Sequence, residues 1–205
     1  METCARILAA ATDLFMKYGI RSVTMDEIAK SLSISKKTIY QYFKDKHAVV
    51  FEVTKNKLQQ EQKDFENIQA HAENVIDELL KISLHIRKNL RMINPTLFYD
   101  LKKFHPIAWE AYQEHKEFCL KKGLLLTLER GIQEGVFREE IDIEILARMR
   151  LHQVEMGFDP DIYPIGEFDI TEVHMQFFFH FIHGIVNEKG RKLIKENYSQ
   201  LIFNK

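Results

Sequence analysis

The stretch "TMDEIAKSLSISKKTIYQYFKDKHAVV", Thr24 to Val50, decides the fold of this chain. Three residues of the types that cap helices, Thr24, Ser35 and Asp45, divide it into two short helices and the start of a longer one. Glu27 follows Thr24 by three residues, which completes the sequence pattern of a capping box. The segment therefore predicts two short helices joined by a tight turn and followed by a long helix, the layout of a helix-turn-helix.

Another predicted helix precedes this segment. Apolar residues recur at helical spacing from Ile7 to Tyr18, and Gly19 stands in the usual position for ending a helix. Counting this helix as the first, we expect the third to run from Lys36 to Phe43. The fourth is expected from about Lys46 into the polar residues 59–64.

The third helix carries side chains suited to DNA on its exposed face. With Ile39 and Phe43 directed inward, its lysines and glutamine project away from the core. Lysine supplies charge to phosphates, glutamine pairs with adenine, and the hydroxyls of Thr38 and Tyr42 fix register on the backbone. Lys46 can hold a phosphate together with the free amides of the fourth helix. The candidate DNA-binding residues are Thr24, Ser35, Lys36, Lys37, Thr38, Tyr40, Gln41, Tyr42 and Lys46. A solvated basic helix face is the alternative.

The net charge of −1 hides an asymmetry along the chain. Residues 1–50 carry eight Lys or Arg against five Asp or Glu, a net charge of +3, so the remaining residues carry −4. A basic head on an acidic body is typical of a protein whose head alone contacts DNA.

The sequence pattern of the rest of the chain also predicts helices. Of its 205 residues 45% are hydrophobic, and only 8 Gly and 4 Pro interrupt the helical periodicity. From Glu73 onward we expect helices broken at Pro95 and Pro106 and by a loop over 157–167. The expected later helices are Ile107 to Gly135, Asp142 to Met156, Thr171 to Glu188 and Gly190 to Ser199. The fold class is therefore predicted as all-α.

Residues Thr24 to Val50, with Phe15 and Gly19 ahead of them, strongly resemble the DNA-binding segment of the TetR family of bacterial repressors. The matching residues are Thr24, Ile28-Ala29, Thr38-Ile39-Tyr40, Tyr42-Phe43 and Lys46. The sequence departs from the family pattern at two positions. Ser33 stands where the family usually has Gly, so we expect a strained backbone there, and Lys37 stands where many members have a small residue.

The resemblance implies a homodimeric regulator, in most members a repressor, that binds a palindromic operator and is released by a small effector. On this basis residues 1–46 form the helix-turn-helix DNA-binding domain, and residues 47–205 form a helical domain that senses ligand and dimerises. The partners implied are double-stranded operator DNA, a second copy of the chain and a small apolar molecule.

The resemblance also places dimerisation in the last two long helices. The segment "QFFFHFIHGI", Gln176 to Ile185, is apolar almost all round a helix, which a subunit interface would bury. The predicted interface residues are Phe177, Phe178, Phe181, Ile182 and Ile185. A central helix of the protomer core is the alternative.

Aromatic and polarizable residues cluster in the middle of the chain, where a helical bundle could enclose an apolar pocket. The predicted pocket residues are Phe98, Tyr99, Phe104, Trp109, Tyr112, Met149, His152 and Met156. Ordinary core packing is the alternative for each of them.

Metal, cofactor and catalytic motifs are not evident in the sequence. The pairs His105 and His115, and His180 and His183, lack Cys or carboxylate ligands at metal spacing, so we expect no metal and no cofactor. A helical-bundle enzyme and a helical adaptor that binds only protein remain alternatives. The basic helix face favours DNA, because an enzyme does not need it and an adaptor would expose apolar anchors.

The sequence also bears on the cellular compartment. Cys4 and Cys119 are too few for a disulfide framework and are expected to be reduced. No apolar run reaches the length of a membrane span, and the N-terminus has no signal-peptide pattern. We expect a soluble cytoplasmic protein.

Overall fold

The computed structural model describes the backbone of residues 3–203 and the side chains of residues 3–196, and this part of the chain folds into eleven α-helices. They are α1 (Thr3–Tyr18), α2 (Met25–Ser31), α3 (Lys36–Tyr40), α4 (Lys46–Ala70), α5 (Val75–Leu90), α6 (Leu97–Phe104), α7 (Pro106–His115), α8 (Lys121–Gln133), α9 (Ile143–Gly157), α10 (Ile170–Ile185) and α11 (Glu188–Phe203). A π-helical turn, Lys116–Leu120, joins α7 to α8. The predicted all-α class is confirmed, since β-structure in the described residues is limited to two isolated bridges.

Side-chain caps begin the helices of the head where the sequence predicts them. The Thr24 hydroxyl accepts from the Glu27 N–H at 3.2 Å, and the Glu27 carboxylate accepts from the Thr24 N–H at 2.6 Å, so the capping box is complete. Ser35 and Asp45 cap α3 and α4 in the same way. Gly19 ends α1 at a φ of +81°, in the left-handed region that glycine tolerates best.

One hydrophobic cluster joins α1, α2, α3 and the start of α4. Its fully buried side chains include Ile7, Ile28, Ile39 and Val49. Leu101 of α6 and Ala108 of α7 belong to the same cluster. The head of the molecule therefore rests directly on α6 and α7, and α4 is not its only connection to the body.

A second hydrophobic cluster holds the body together. It is built from α5, α8, α9 and α10, and Ile194 of α11 joins it. Gly131 is required where α8 turns toward the next segment, because a Cβ there would lie 2.1 Å from the ring of Phe137, which is completely buried.

Some helix boundaries differ from the predicted ones. The third helix ends at Tyr40 and not at Phe43, because Gln41 and Tyr42 form a turn that carries Phe43 back into the head core. The predicted long helix from Ile107 to Gly135 is divided into α7, the π-helical turn and α8.

The aromatic segment of α10 lies inside the protomer and not on its surface. Phe178, Phe181, Ile182 and Ile185 are each at most 4% exposed and belong to the body cluster, and Phe177 is half-buried. The predicted interface residues therefore belong to a core helix of the protomer, which is the alternative named from the sequence. The cause is that α5 and α9 pack against α10 and already cover its apolar faces within one chain.

None of the helices in the described part of the chain combines the length and the hydrophobicity needed to cross a bilayer.

Candidate nucleic-acid interface

The turn between α2 and α3 sets the angle at which the candidate reading helix leaves the head. Ser33 adopts a φ of 55°, the left-handed conformation expected where the family pattern has Gly. The amides of Leu32 and Ile34 both donate to the Ala29 carbonyl, at 3.2 and 3.1 Å, and close the turn tightly. The strain at Ser33 is therefore held in place by main-chain hydrogen bonds on both sides.

The outer face of α3 and the turn after it present polar side chains to solvent. Ile39 is completely buried beneath them, and Tyr40 and Tyr42 are 46% and 45% exposed. The exposed residues of this reading face are Lys36, Lys37, Tyr40, Gln41, Tyr42 and Lys44. The structure thus brings together six side chains suited to phosphate and base contacts on one convex surface.

The candidate residues Thr24, Ser35 and Thr38 are engaged in local hydrogen bonds. The Thr24 hydroxyl donates to the Glu27 carboxylate at 2.9 Å, and the Ser35 and Thr38 hydroxyls lie 2.8 Å apart. Two hydrogen bonds from Thr24, first that of its N–H and then that of its hydroxyl, lower the pKa of Glu27 because they stabilise its ionised form. The first role of these hydroxyls is therefore to fix the helix ends beside the reading face.

The lysines of the head differ in their surroundings. Lys36 forms a salt bridge with Asp26 at 2.9 Å, which raises the pKa of its ammonium. Among the ion pairs of the described residues, Lys37 and Lys44 take no part. Lys37 and Lys44 are therefore the lysines of the reading face most available to a phosphate.

The Lys46 ammonium is bound within the head, whereas the sequence suggests that it is free to hold a phosphate. Its ammonium donates to the Arg21 carbonyl at 3.3 Å. Burial lowers the pKa of Lys46, and the charges of Asp100 and Glu27 oppose that shift. Lys46 thus ties the start of α4 to the turn that follows α1.

The family model for "Bacterial regulatory proteins, tetR family" matches residues 7–53, the segment that forms this head. The uncharacterized HTH-type transcriptional regulator YdeS of Bacillus subtilis is 31% identical over 150 residues, which cover 68% of this chain and 69% of that protein. The chain belongs to the tetR family. It is therefore a transcriptional regulator, and the enzyme and adaptor alternatives fall away.

Other tetR-like proteins extend the likeness over the body. The transcriptional repressor KstR2 of Mycolicibacterium smegmatis is 21% identical over 189 residues, 91% of this chain and 92% of that protein. The crystal structure of a putative transcriptional regulator from Saccharomonospora viridis, in complex with choline, superposes with a TM-score of 0.73 at 16% identity. That match covers 90% of this chain and 98% of that chain, so the fold is shared over most of this chain.

The N-terminal end of α6 is hydrogen-bonded to the head of this tetR-family chain. The Asn94 amide donates to the Met16 carbonyl at 2.7 Å, and the Arg21 amide donates to the Asp100 carboxylate at 2.9 Å. The sequence gives no sign of these contacts, because the residues are separated by 78 and 79 positions. These hydrogen bonds connect the body to the head at a second place, in addition to α4.

Three of the predicted pocket residues pack against one another inside the body. The Phe98 ring meets Trp109 and Tyr112 edge-on, at 5.3 and 5.0 Å, and stacks on Phe158 at 4.5 Å. Phe158 in turn contacts the His174 ring at 4.6 Å. This ring cluster, Phe98, Trp109, Tyr112, Phe158 and His174, fills the space between α6, α7, α9 and α10.

The other predicted pocket residues lie elsewhere. Met149 is 40% exposed and the His152 side chain 67% exposed, because both project from the outer face of α9 and not into the body. Phe104 lies under the Arg21 guanidinium of the head, at 5.3 Å, and the Lys103 ammonium lies near the rings of both Tyr99 and Phe104. Met156 is half-buried at the end of α9.

A cavity of about 310 Å³ opens beside the ring cluster. Its lining is largely apolar, with Arg91, Asp169 and Thr171 as polar members; the apolar side chains are Leu90, Ile93, Pro95, Phe158, Tyr163, Ile165, Phe168 and Ile170. Phe158 belongs to both the cavity wall and the ring cluster. Sequence reasoning missed this cavity because its walls come from the end of α5 and the segment after it, from the loop after α9 and from the start of α10, and only the tertiary structure brings these segments together.

Two buried polar groups next to the ring cluster lack partners. The Arg150 side chain is 8% exposed, its Nη1 has no hydrogen-bond partner in the described residues, and burial lowers its pKa to about 10. His174 is 2% exposed with its Nε2 unpaired, and burial, then the charge of Arg150, lowers its pKa to about 4. Lys116, equally buried, is paired with Glu155 at 2.5 Å. Within the described residues, the buried Arg150 guanidinium thus has no carboxylate as a counter-charge.

Proposed function

We propose that this tetR-family chain is a ligand-responsive repressor that binds a palindromic operator as a homodimer and is released by a small effector. The observation that carries the proposal is the exposed reading face, in which Lys37, Gln41 and Lys44 stand on a buried helix-turn-helix core. One such head reads only a few base pairs, so specific binding needs two copies. The relative named a repressor, KstR2, supports the mode of action.

The second copy is expected to pack on the outer faces of α9 and α10. Ile145 and Met149 are 64% and 40% exposed, and His152 and Met156 continue the same helical face. The adjacent face of α10 exposes Gln176 and other polar groups. An apolar stripe with a polar margin fits a self-complementary contact between two copies, which two-fold symmetry requires.

The effector is expected in the cavity beside Phe158, with the ring cluster opening to extend it. The apolar walls favour an apolar molecule. Two structural neighbours, the regulator in complex with choline and the SmeT–triclosan complex, show that this fold can hold small molecules. Arg150 does not line the cavity itself. If the ring cluster opens toward Arg150, its unpaired charge favours an effector that also carries an acidic group, since an anion would offset the cost of the buried guanidinium.

A continuous chain of contacts leads from the cavity to the head. Phe158 stacks on Phe98 of α6, and Asp100, half a turn further on, accepts from the Arg21 amide in the head. A ligand that displaces Phe158 would therefore shift α6 against the head and change the separation of the two reading faces. Two packed arrangements of α6 would supply the two states that such control needs.

Selection of bound sequences from random duplex DNA tests the proposal. We expect recovery of a palindrome whose half-site centres lie about one helical turn, 34–36 Å, or a multiple of it apart. The same selection with the Gln41→Ala and Lys37→Ala variants provides the matched comparison. Recovery of no common sequence, or of a single half-site bound by one chain, would contradict the proposal.

A further inference from the structure

A cluster of metal-ligating side chains lies between α4 and α5, and none of its members belongs to the reading face or to the cavity lining. Glu61 and Asp64 are three residues apart on one face of α4, and His85 faces them from α5. One ligand atom from each lies within 4.8 Å of the others. The His85 Nε2 is 3.3 Å from the Glu61 Oε1 and 3.7 Å from the Asp64 Oδ2.

We propose that Glu61, Asp64 and His85 bind a divalent first-row transition metal ion that ties α4 to α5. Ligand atoms about 2.0–2.2 Å from such an ion lie roughly 3.0–3.5 Å from one another at tetrahedral or octahedral angles. The 3.3 and 3.7 Å spacings from the His85 Nε2 match or approach this range, and the two carboxylate oxygens lie within 4.8 Å of each other. Two carboxylate oxygens and one imidazole nitrogen suit Zn²⁺, Mn²⁺ or Co²⁺ and not Cu(I), which prefers thiolate and thioether ligands.

Asn89 supplies a fourth donor group at the same place. Its amide nitrogen lies 2.9 Å from the His85 Nε2 and 3.4 Å from the Glu61 Oε2. A half turn of the amide, which exchanges its nitrogen and oxygen, would direct the oxygen to the ion instead. Asn89 and His85 are four residues apart on α5 and so share a face.

The charges of the cluster favour a cation. Within the described part of the chain, no lysine or arginine forms an ion pair with Glu61 or Asp64, so His85 is the only basic group that meets the two carboxylates. The His85 Nε2 faces the Glu61 carboxylate and the Asn89 amide at the same time. A metal ion at this point would meet the carboxylates and the imidazole together.

The surroundings would hold the ligands in place. The three side chains are between 23% and 36% exposed, so an ion can enter and yet be partly shielded from water. The Phe65 ring packs edge-on to the His85 ring at 5.8 Å, and Gln60 donates to the second oxygen of Asp64 at 2.9 Å. Such neighbours orient ligands in metal proteins.

The position gives the ion influence over the head. The same α4 begins at Lys46 beneath the DNA-binding unit, and an ion bridging it to α5 would fix its tilt against the body. We therefore expect metal and operator to affect each other's binding by the same factor, as linkage requires.

Titration of the DNA-free, metal-stripped protein with Co²⁺ and Zn²⁺ tests the site independently of the proposed repressor function. We expect one ion per chain, a Co²⁺ absorption spectrum of an ordered site, and at least a tenfold loss of affinity in Glu61→Gln, Asp64→Asn and His85→Gln. The amide variants preserve side-chain shape, and circular dichroism checks their fold. Glu66→Gln on α4 and His71→Gln at its end are the matched controls and should bind as the parent does.

Equal affinity in the parent and in the three ligand variants would overturn the site. Several weak equivalents per chain, unchanged by the variants, would do the same. Ion binding at the site with operator affinity unchanged would overturn the regulatory part. Failure of operator binding with or without metal would count against the repressor function and not against the site.

Discussion

Arg150 and His174 are both buried, and no carboxylate of the described residues forms a salt bridge with the Arg150 guanidinium. The Arg150 guanidinium also lies 5.8 Å from the Phe181 ring, which supplies a partial counter-interaction but no negative charge. In a tetR-family body, residues of this kind are more costly than apolar ones of the same size unless something else uses them. Their adjacency to the ring cluster is the reason we assign them to effector recognition.

The His174 imidazole should make stability depend on pH. Its pKa is about 4 in the folded chain against 6.5 for an ordinary histidine, so the folded state keeps it neutral. The unfolded chain takes up a proton as pH falls through 6.5 and the folded chain does not, so the stabilisation is complete above pH 6.5 and is lost progressively towards pH 4. We expect the free energy of unfolding to fall by about 3 kcal/mol more in the parent than in His174→Leu over this interval.

Urea denaturation at fixed protein concentration, at pH 7 and at pH 4, measures this difference. His71→Leu is the control, because that ring stays in water in the folded chain. An equal fall in the parent and in His174→Leu would show that His174 is protonated without cost in the native state.

Recognition of bases should depend on Gln41, and contact with the DNA backbone should depend on Lys37. We expect Gln41→Ala to relax base preference at one position of each half-site, by about 1–3 kcal/mol of discrimination. Lys37→Ala should instead weaken binding evenly across sequences and lower the salt slope by about one unit, because Lys37 has no intramolecular ion pair to replace. Binding curves at several salt concentrations on the selected operator measure both. An unaltered sequence preference in Gln41→Ala would remove this residue from direct readout.

At the scale of elements, the turn between α2 and α3 combines strain with function. Ser33 adopts a left-handed backbone conformation, which is strained for serine and would be unstrained for glycine. The neighbouring Ser31 is in α2, where its hydroxyl donates to the Ile28 carbonyl at 2.8 Å. The same substitution at the two serines should therefore have opposite effects.

We expect Ser33→Gly to raise the free energy of unfolding by about 0.5–1 kcal/mol and Ser31→Gly to lower it by about as much. The relief of strain at position 33 exceeds the entropy that glycine adds to the unfolded chain, whereas position 31 loses helix propensity without any relief. Thermal and urea unfolding of the two variants measure the difference. Destabilisation by both substitutions would mean that the left-handed turn is not strained by serine.

At the scale of the whole molecule, assembly should depend on α9 and not on the aromatic segment of α10. Ile145→Asp places a charge on the outer face of α9, and it should yield a folded monomer with lost operator binding. Phe181→Asp places a charge in the body core at a side chain that is 2% exposed, and it should unfold the protein, at a cost of several kcal/mol.

Sedimentation equilibrium and circular dichroism on the two variants separate these outcomes. Lys195→Asp on α11, exposed and off the proposed face, serves as the control. A dimer that survives Ile145→Asp and Met149→Asp together would place the interface elsewhere.

The head could be predicted from the sequence because its signals are local. Capping residues act on amides three positions away, and helical periodicity is read within one turn or two. Thr24, Ser35 and Asp45 therefore set the start of three helices before any tertiary contact is known. The left-handed backbone at Ser33 was expected from the family resemblance, since the family usually has Gly there. The same locality explains why the exposed face of α3 was correctly anticipated.

The body was decided by the tertiary structure. The apolar pattern of α10 fits a core helix and a subunit interface equally, and only the packing of α5 and α9 against it shows that Phe178 and Phe181 face inward. For the same reason, the sequence prediction wrongly placed Met149 and His152 in the pocket. Helical periodicity shows which residues share a face of a helix, but it does not show what that face packs against. Glu61 and His85 meet across two helices, and no spacing rule links them. Local chemistry determined where the helices begin, and long-range packing determined which of their faces meet.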